Sequence, residues 1–224
     1  MSENGVLSTY DSHQAKMMEE LCIQVNEDDS IIGSISKYIA HRGIGILHRA
    51  FSVLIFNSEN KLLIQQRSMD KITFPGFWAN SCCSHPLFDK GETFSGVVDG
   101  VARAAIRKIP QELGINTDEF KHNDFNLIGR FQYKATDDTE WIEHEIDYVI
   151  GIHNDSEPNI NINEVMEYKW VSRNELFEFV TNNDNKIAPW FSTIIDIYLK
   201  DWWPENSTDY PDYNSIIIKA GVIT

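Results

Sequence analysis

A thiol stands two positions before an imidazole in the segment Asn80-Ser81-Cys82-Cys83-Ser84-His85-Pro86. On an extended backbone Cys83 and His85 project to the same side. Either group can move a proton or hold a metal. Further candidates for the same chemistry are His41, His48 and the strand-like segment Trp141-Ile142-Glu143-His144-Glu145-Ile146, where the two-residue period puts both carboxylates on one face. Two carboxylates so placed repel unless a cation lies between them or one is protonated. Three imidazoles and two carboxylates suit a six-coordinate divalent metal such as Mn²⁺, Zn²⁺ or Mg²⁺. The spacings match no standard zinc motif, so the residues also read as surface histidines and a solvated strand face.

Around these residues lie Lys37, Arg67 and Lys71, cations in an otherwise acidic chain. An Arg grips phosphate bidentately and a Lys acts as a point charge. Glu112, at the end of a helical stretch, is placed to bring Mg²⁺ to the same phosphates. The alternative is solvated charge at loop edges. Cys82 and Cys83 read either as small buried hydrophobes or as reactive thiols beside positive charge. Tyr133, Trp78 and Trp190 read as core aromatics or as π faces turned toward a developing cation.

The elements that must position them follow from pattern. A short helix is expected over residues 11–21. Two strand pairs follow, 21–25 with 31–35 and 51–56 with 62–66, each separated by a polar turn. A long loop spans 67–86. Residues 94–113 carry Val97, Val98, Val101, Ala105 and Ile109 on one helical face, with Gly114 as the stop. Strands resume at 125–134, 141–153 and 168–171, and Ser172-Arg173-Asn174-Glu175 matches a capping box. A last helix is expected over 189–202, and the apolar run 216–218 offers an edge strand. The order predicts an α+β fold, a mixed sheet covered by helices, in a single domain over 1–224. Nineteen basic against 34 acidic residues give a net charge of −15, which argues against nucleic acid and anionic membranes as partners. Three cysteines, two of them adjacent, predict a reducing compartment. No apolar run is long enough to serve as a signal peptide or to span a bilayer, so a soluble cytoplasmic protein is expected.

Together, His48-Arg49-Ala50-Phe51-Ser52, Gln65-Gln66-Arg67-Ser68, Thr73-Phe74-Pro75-Gly76, the Cys-Cys segment, Gln111-Glu112-Leu113-Gly114, Tyr133-Lys134-Ala135, Glu143-His144-Glu145 and Pro189-Trp190 resemble the type I isopentenyl-diphosphate Δ-isomerases of the Nudix superfamily. The resemblance runs from about Lys37 to Trp203. It implies a Nudix-type α/β/α sandwich with an added N-terminal hairpin and C-terminal helices, 1–36 being an extension placed to act as a lid and 204–224 a tail. It implies interconversion of isopentenyl and dimethylallyl diphosphate by a monomer or weak homodimer. His41, His48, His85, Glu143 and Glu145 are implied as ligands of one divalent metal (Zn, Mn or Mg). Glu112 is implied as the ligand of a Mg²⁺ carried by the substrate. Cys83 and Glu145 are implied as the proton-transfer groups, Tyr133 and Trp190 as the aromatics around the hydrocarbon, and Lys37, Arg67, Lys71 and Ser84 as the diphosphate contacts. One departure concerns the alternative, a Nudix hydrolase of a diphosphate-containing substrate. Where hydrolases carry Arg-Glu-x-x-Glu-Glu-x-Gly, this chain has Arg107-Lys108-Ile109-Pro110-Gln111-Glu112-Leu113-Gly114, with a single acidic residue left of that cluster. Pro110 is expected to kink the helix or cost it a hydrogen bond.

Overall fold

The computed structural model describes residues 3–93, 97–136, 139–204, 210–211 and 216–223. Its organising strand is β3 (His48–Phe56), which follows β1 (Leu21–Val25) and β2 (Ile31–Ser36) and in which every residue is buried. Such a strand needs cover on both faces, and its alternating side chains feed two separate cores. Phe51, Val53 and Ile55 enter one core together with Val101, Ala105 and Ile109 of helix α4, while Leu54 and Phe56 enter the other. To number the elements in chain order, α1 is Glu3–Leu7, α2 Ser12–Met17, α3 Lys37–Ala40 and α4 Val97–Leu113; the expected helix start at Phe94 lies outside the described residues. The second core is covered by α5 (Arg173–Thr181) and α6 (Pro189–Ile194), which supply Leu176, Trp190, Phe191 and Ile194. The layers are therefore helix, sheet, helix.

Strand β8 (Ile142–His153) pairs with β3 in parallel from His48 opposite Glu145 to Phe56 opposite His153. A parallel pair needs a long crossover, and α4 lies within the connection. Beyond β8 come β7 (Asn126–Thr136), antiparallel, and β10 (Ile217–Ile223), which pairs with β7 in parallel and realises the edge strand expected near 216–218. On the other edge of β3 lie β1 and the short β6 (Cys82–Ser84). There too, β4 (Leu62–Arg67) leads outward to β5 (Trp78–Ala79) and β9 (Val165–Val171). The hairpin in the N-terminal extension is part of this sheet, with Cys22, Ile23 and Val25 buried.

Two local features differ from the pattern-based expectation. The helix expected over 11–21 is confined to α2, capped by the Asp11 side chain, because the chain must straighten into β1 at Leu21. The helix from Pro189 changes to a π-helical turn over Ile195–Leu199. The capping box at Ser172 and Glu175 is formed.

Pro110 sits within α4, which continues past it to Leu113 and ends at Gly114 with φ +63°. A proline at this position cannot donate to the carbonyl of Ile106, one turn back. The Thr117 hydroxyl donates to that carbonyl instead (3.0 Å). The same helix approaches the chain at Gly100, where a Cβ would lie 2.2 Å from the Glu92 carbonyl oxygen. Thr117→Val, which orphans the Ile106 carbonyl, is expected to destabilise the protein by about 1–3 kcal/mol in urea unfolding. The loss should shrink in a Pro110→Ala background, where a backbone N–H is restored.

Candidate active site

Alternation along β3 and β8 brings His48, Ala50 and Ser52 together with Glu143, Glu145 and Asp147 on the sheet face that leads into the α6 core, and Tyr133 of β7 joins them opposite Glu145. Ala50, Ser52, Glu143, Glu145, Asp147 and Tyr133, with Lys37, Arg67, Lys71, Thr73, Cys83, Ser84, His85, Lys108 and Trp190, line one cleft. Of the residues singled out from sequence, His41, His48 and Glu112 do not line it, although each lies within 4.0 Å of a residue that does. Trp78 does not reach it, packing instead against Phe179.

The centre of the site is one carboxylate oxygen. Glu145 Oε1 lies 2.8 Å from His85 Nε2, 3.4 Å from His48 Nε2 and 3.6 Å from His41 Nε2. His41 Nδ1 meets the Lys37 carbonyl (2.8 Å) and His48 Nδ1 the Ile46 carbonyl (2.7 Å). A carbonyl only accepts, so the proton of each neutral ring is on Nδ1 and the Nε2 lone pair faces Glu145. Burial holds His41 down to about 4 and His85 well below the usual imidazole range. Neutral imidazoles whose buried Nε2 atoms at His41 and His48 have no hydrogen-bond partner, gathered on a carboxylate, are what a divalent cation requires. His41, His48, His85 and Glu145 offer ligand atoms all within 4.8 Å of one another, so the chain contains a buried group able to hold a metal.

Glu143 stands outside that group. The Tyr133 hydroxyl links it to the centre, 2.6 Å from Glu145 Oε2 and 2.9 Å from Glu143 Oε2. Burial would raise Glu145, but His85, 2.8 Å away, holds it well below the usual carboxylate range. Burial and the charge of Glu145 push Glu143 up to about 8. The two carboxyls thus divide their labour: Glu145 carries the charge and Glu143 the proton.

The adjacent cysteines point to opposite sides of β6. Cys82 is fully buried in the α4 core, whereas Cys83 packs on the α6 core and opens to the cleft. Burial pushes the Cys83 thiol up to about 12 even though Arg67 pulls it down. Phe51 of β3 pairs with both Ser84 and Tyr148, so β6 and β8 flank opposite edges of β3. Cys83 and Glu145 therefore rise on opposite sides of a floor made by Ala50 and Ser52. Trp190 donates its indole N–H to Asn80 Oδ1 (3.0 Å), and Asn80 in turn donates to the Val53 and Cys82 carbonyls.

A family model described as "NUDIX domain" matches residues 46–191. The isopentenyl-diphosphate delta-isomerase of Aspergillus fumigatus is 44% identical over 212 residues, covering 88% of this chain and 76% of its own. That of Mesocricetus auratus is 44% identical over 203 residues, covering 88% and 89%. That of Schizosaccharomyces pombe is 40% identical over 212 residues, covering 92% and 93%. The chain belongs to the isopentenyl-diphosphate delta-isomerase family. Among solved structures, a Deinococcus radiodurans protein superposes with a TM-score of 0.58 at 20% identity, covering 80% of this chain and 99% of that one. A NUDIX hydrolase from Alicyclobacillus acidocaldarius gives 0.52 at 12% identity, covering 69% and 91%. These two likenesses speak for the fold alone.

In this family member the degenerate box serves new ends. Arg107 donates to both Glu92 oxygens (2.7 and 3.0 Å) and to the His85 carbonyl (3.1 Å), fixing the backbone of a histidine that faces Glu145. Lys108 faces the cleft one turn before Glu112. Glu112 accepts from Gln65 Nε2 (2.9 Å) and lies 3.7 Å from Lys108 and 4.0 Å from Lys71. Glu164, unnoticed in sequence, pairs with Lys71 at 2.6 Å and Lys108 at 3.2 Å. Its position on a loop gave no periodic signal. Lys108 was legible from its i,i+4 relation to Glu112, and Asp147 from its two-residue step beyond Glu145. Burial opposes the ionisation of Glu164, but Lys71 and Lys108 hold its carboxyl well below the usual range. A depressed carboxyl contributes stability in full above its unfolded value near about 4.3 and loses it as pH falls toward the folded one. Glu164→Gln, which leaves two buried ammoniums short of a partner, should cost about 3–5 kcal/mol at pH 7. The gap to the unmodified protein should close below about pH 4, read by urea unfolding across a pH series.

Dialysis against a chelator is expected to lower the thermal midpoint by roughly 5–10 °C, with recovery on adding divalent cation. His48→Ala should remove most of that response.

Proposed function

We propose that this chain interconverts isopentenyl diphosphate and dimethylallyl diphosphate, and that Cys83 and Glu145 carry the two proton transfers. The observation that supports this most directly is their placement on opposite sides of one narrow cleft floor. Adding a proton to C4 turns the C3–C4 double bond into a methyl group and leaves positive charge on C3. Removing a proton from C2 returns that electron pair as the C2–C3 double bond. Two groups facing opposite faces of a flat alkene suit this sequence better than one. Cys83, a neutral thiol, and Glu145, a carboxylate, are two such groups with different affinities for a proton. Tyr133 holds the second Glu145 oxygen, and Glu143 keeps a proton beside it.

Trp190 and Tyr133 wall the hydrocarbon, and the Trp190 π face stabilises positive charge without capturing it, as water would. Lys37, Arg67, Lys71 and Ser84 are the proposed diphosphate contacts, with Lys108 adding positive field at the same cleft. A divalent cation held by His41, His48, His85 and Glu145, with Glu143 beside them, would fix the Glu145 carboxylate in place. We assign it to Zn²⁺, Mn²⁺ or Mg²⁺, with Glu112 the proposed protein ligand of a Mg²⁺ arriving on the diphosphate. The part of the N-terminal extension before Leu21 is the proposed cover. Tyr10 accepts from the Trp141 indole (2.9 Å) and Gln14 donates to Asn163 (2.9 Å), so this segment is tied to the start of β8 and to the residue before Glu164. Three free thiols support a cytoplasmic, reducing setting.

Hydrolysis of the diphosphate is the competing reaction. It is disfavoured by a box in which one carboxylate, Glu112, remains where hydrolases carry three. Incubation with isopentenyl diphosphate and Mg²⁺ in D₂O, followed by NMR, separates the two. Deuterium in dimethylallyl diphosphate is the expected result, and released phosphate without it would sink the proposal. Cys83→Ala should lower turnover by about 10²–10⁴-fold, while Cys82→Ala, on the α4 side of β6, should largely preserve it.

A further inference from the structure

Asn80 is fully buried, and its amide joins three segments of chain. Its Oδ1 accepts from the Trp190 indole N–H (3.0 Å). Its Nδ2 donates to the Val53 carbonyl (3.1 Å) and the Cys82 carbonyl (2.8 Å). Val53 and Cys82 face each other across the β3–β6 pair, so the amide closes the end of that ladder one residue before Cys83. The backbone beneath the Trp190 ring is held separately, since the Ala188 N–H donates to the Trp78 carbonyl (2.8 Å) and Pro189 opens α6. Phe74 packs edge-to-face on the ring, centroids 5.3 Å apart. That contact is apolar and gives the indole N–H no acceptor, so Asn80 decides where the N–H points. In this orientation the Arg67 guanidinium carbon lies over the ring, 5.3 Å from its centroid. Arg67 and Trp190 both line the cleft, so the ring as held offers a π face to positive charge there.

We propose that Asn80 is a positioning residue, whose amide registers the Trp190 ring to the strand that carries Cys83, so that a ring face and not a ring edge meets positive charge on the hydrocarbon. The inference rests on the isomerase reading for the source of that charge, but not for the geometry. The face of an aromatic ring is negative and its edge positive, so the same ring attracts or repels a cation according to how it is turned. A buried N–H without an acceptor is costly, and an indole that lost Oδ1 would turn to find another. Asn80 itself does not line the cleft, and its partners are the Trp190 N–H and two carbonyls. Its effect should therefore fall on the hydrocarbon end of a ligand and spare the diphosphate end.

The test compares the unmodified full chain with Asn80→Leu, in the presence of Mg²⁺, for binding of three probes by calorimetry. Dimethylaminoethyl diphosphate, protonated on nitrogen, carries a fixed cation where C3 stands in the substrate; isopentyl diphosphate is its neutral counterpart, and inorganic pyrophosphate is the head alone. Asn80→Leu should weaken the cationic probe by about tenfold and leave the other two within about threefold. The value of kcat should fall by about tenfold or more, with KM for isopentenyl diphosphate little changed. Equal weakening of all three probes would show a general loosening of the cleft and overturn the proposal, as would no weakening of any. In a Trp190→Phe background, which has no indole N–H to hold, Asn80→Leu should add less than about threefold to either loss; a full repeat of the effect would mean that Asn80 does not act through the ring. Asn80→Ser, which leaves room for a water, is the milder change should Asn80→Leu fail to fold. It should show the same selective loss for the cationic probe, and equal effects on all three would again be adverse. Probe binding needs no turnover. A protein that shows the selective loss yet makes no dimethylallyl diphosphate would defeat the isomerase reading while still deciding the role of Asn80.

Discussion

Three imidazole nitrogens directed at one buried carboxylate oxygen form an arrangement that cannot stand without compensation. Each ring has surrendered exposure to water, and two have given their only proton to a backbone carbonyl. The lone pairs of His41 and His48 face the Glu145 charge, while His85 meets the same oxygen at 2.8 Å, and a cation would turn the two repulsive contacts into binding. The surrounding structure is arranged to hold this cluster in place. Lys37 begins α3 and offers the carbonyl that orients His41, β3 fixes His48 in register with Glu145, and Arg107 reaches from α4 to the His85 backbone.

That constraint also explains how two neighbouring carboxyls come to differ. Glu143 and Glu145 are the same residue type, two positions apart on one strand face. Only Glu145 meets His85, so only Glu145 is stabilised as the anion, and its charge then raises Glu143. Tyr133 keeps the two in contact. A similar asymmetry separates Cys82 from Cys83, since adjacent residues of a strand must face opposite layers. The layer on one side is an aliphatic core and on the other the cleft.

A second demand is charge. The cleft gathers Lys37, Arg67, Lys71 and Lys108 in a chain whose net charge is −15. Buried cations of like sign need partners. Glu164 and Glu112 serve Lys71 and Lys108, while backbone carbonyls, the Thr73 hydroxyl and the Cys83 sulfur serve Arg67.

Much of this was legible before any coordinates. Period-two alternation placed Glu143 and Glu145 on one face, Gly114 and the box at Ser172 marked helix ends, and the quoted strings singled out His48, His85 and Cys83. Pattern also warned that Pro110 would cost a hydrogen bond, because a missing N–H is a property of the residue itself. What pattern could not supply was any partner distant in sequence. Thr117 answering the Ile106 carbonyl, Glu164 answering two lysines and Arg67 turning away from solvent toward Cys83 and Trp190 each join segments that only the folded sheet brings together. Residue types and local spacing set which groups were available for chemistry. Which of them met was decided by strand register and layer packing, since hydrogen bonds and ion pairs act over a few ångströms of space whatever the separation along the chain.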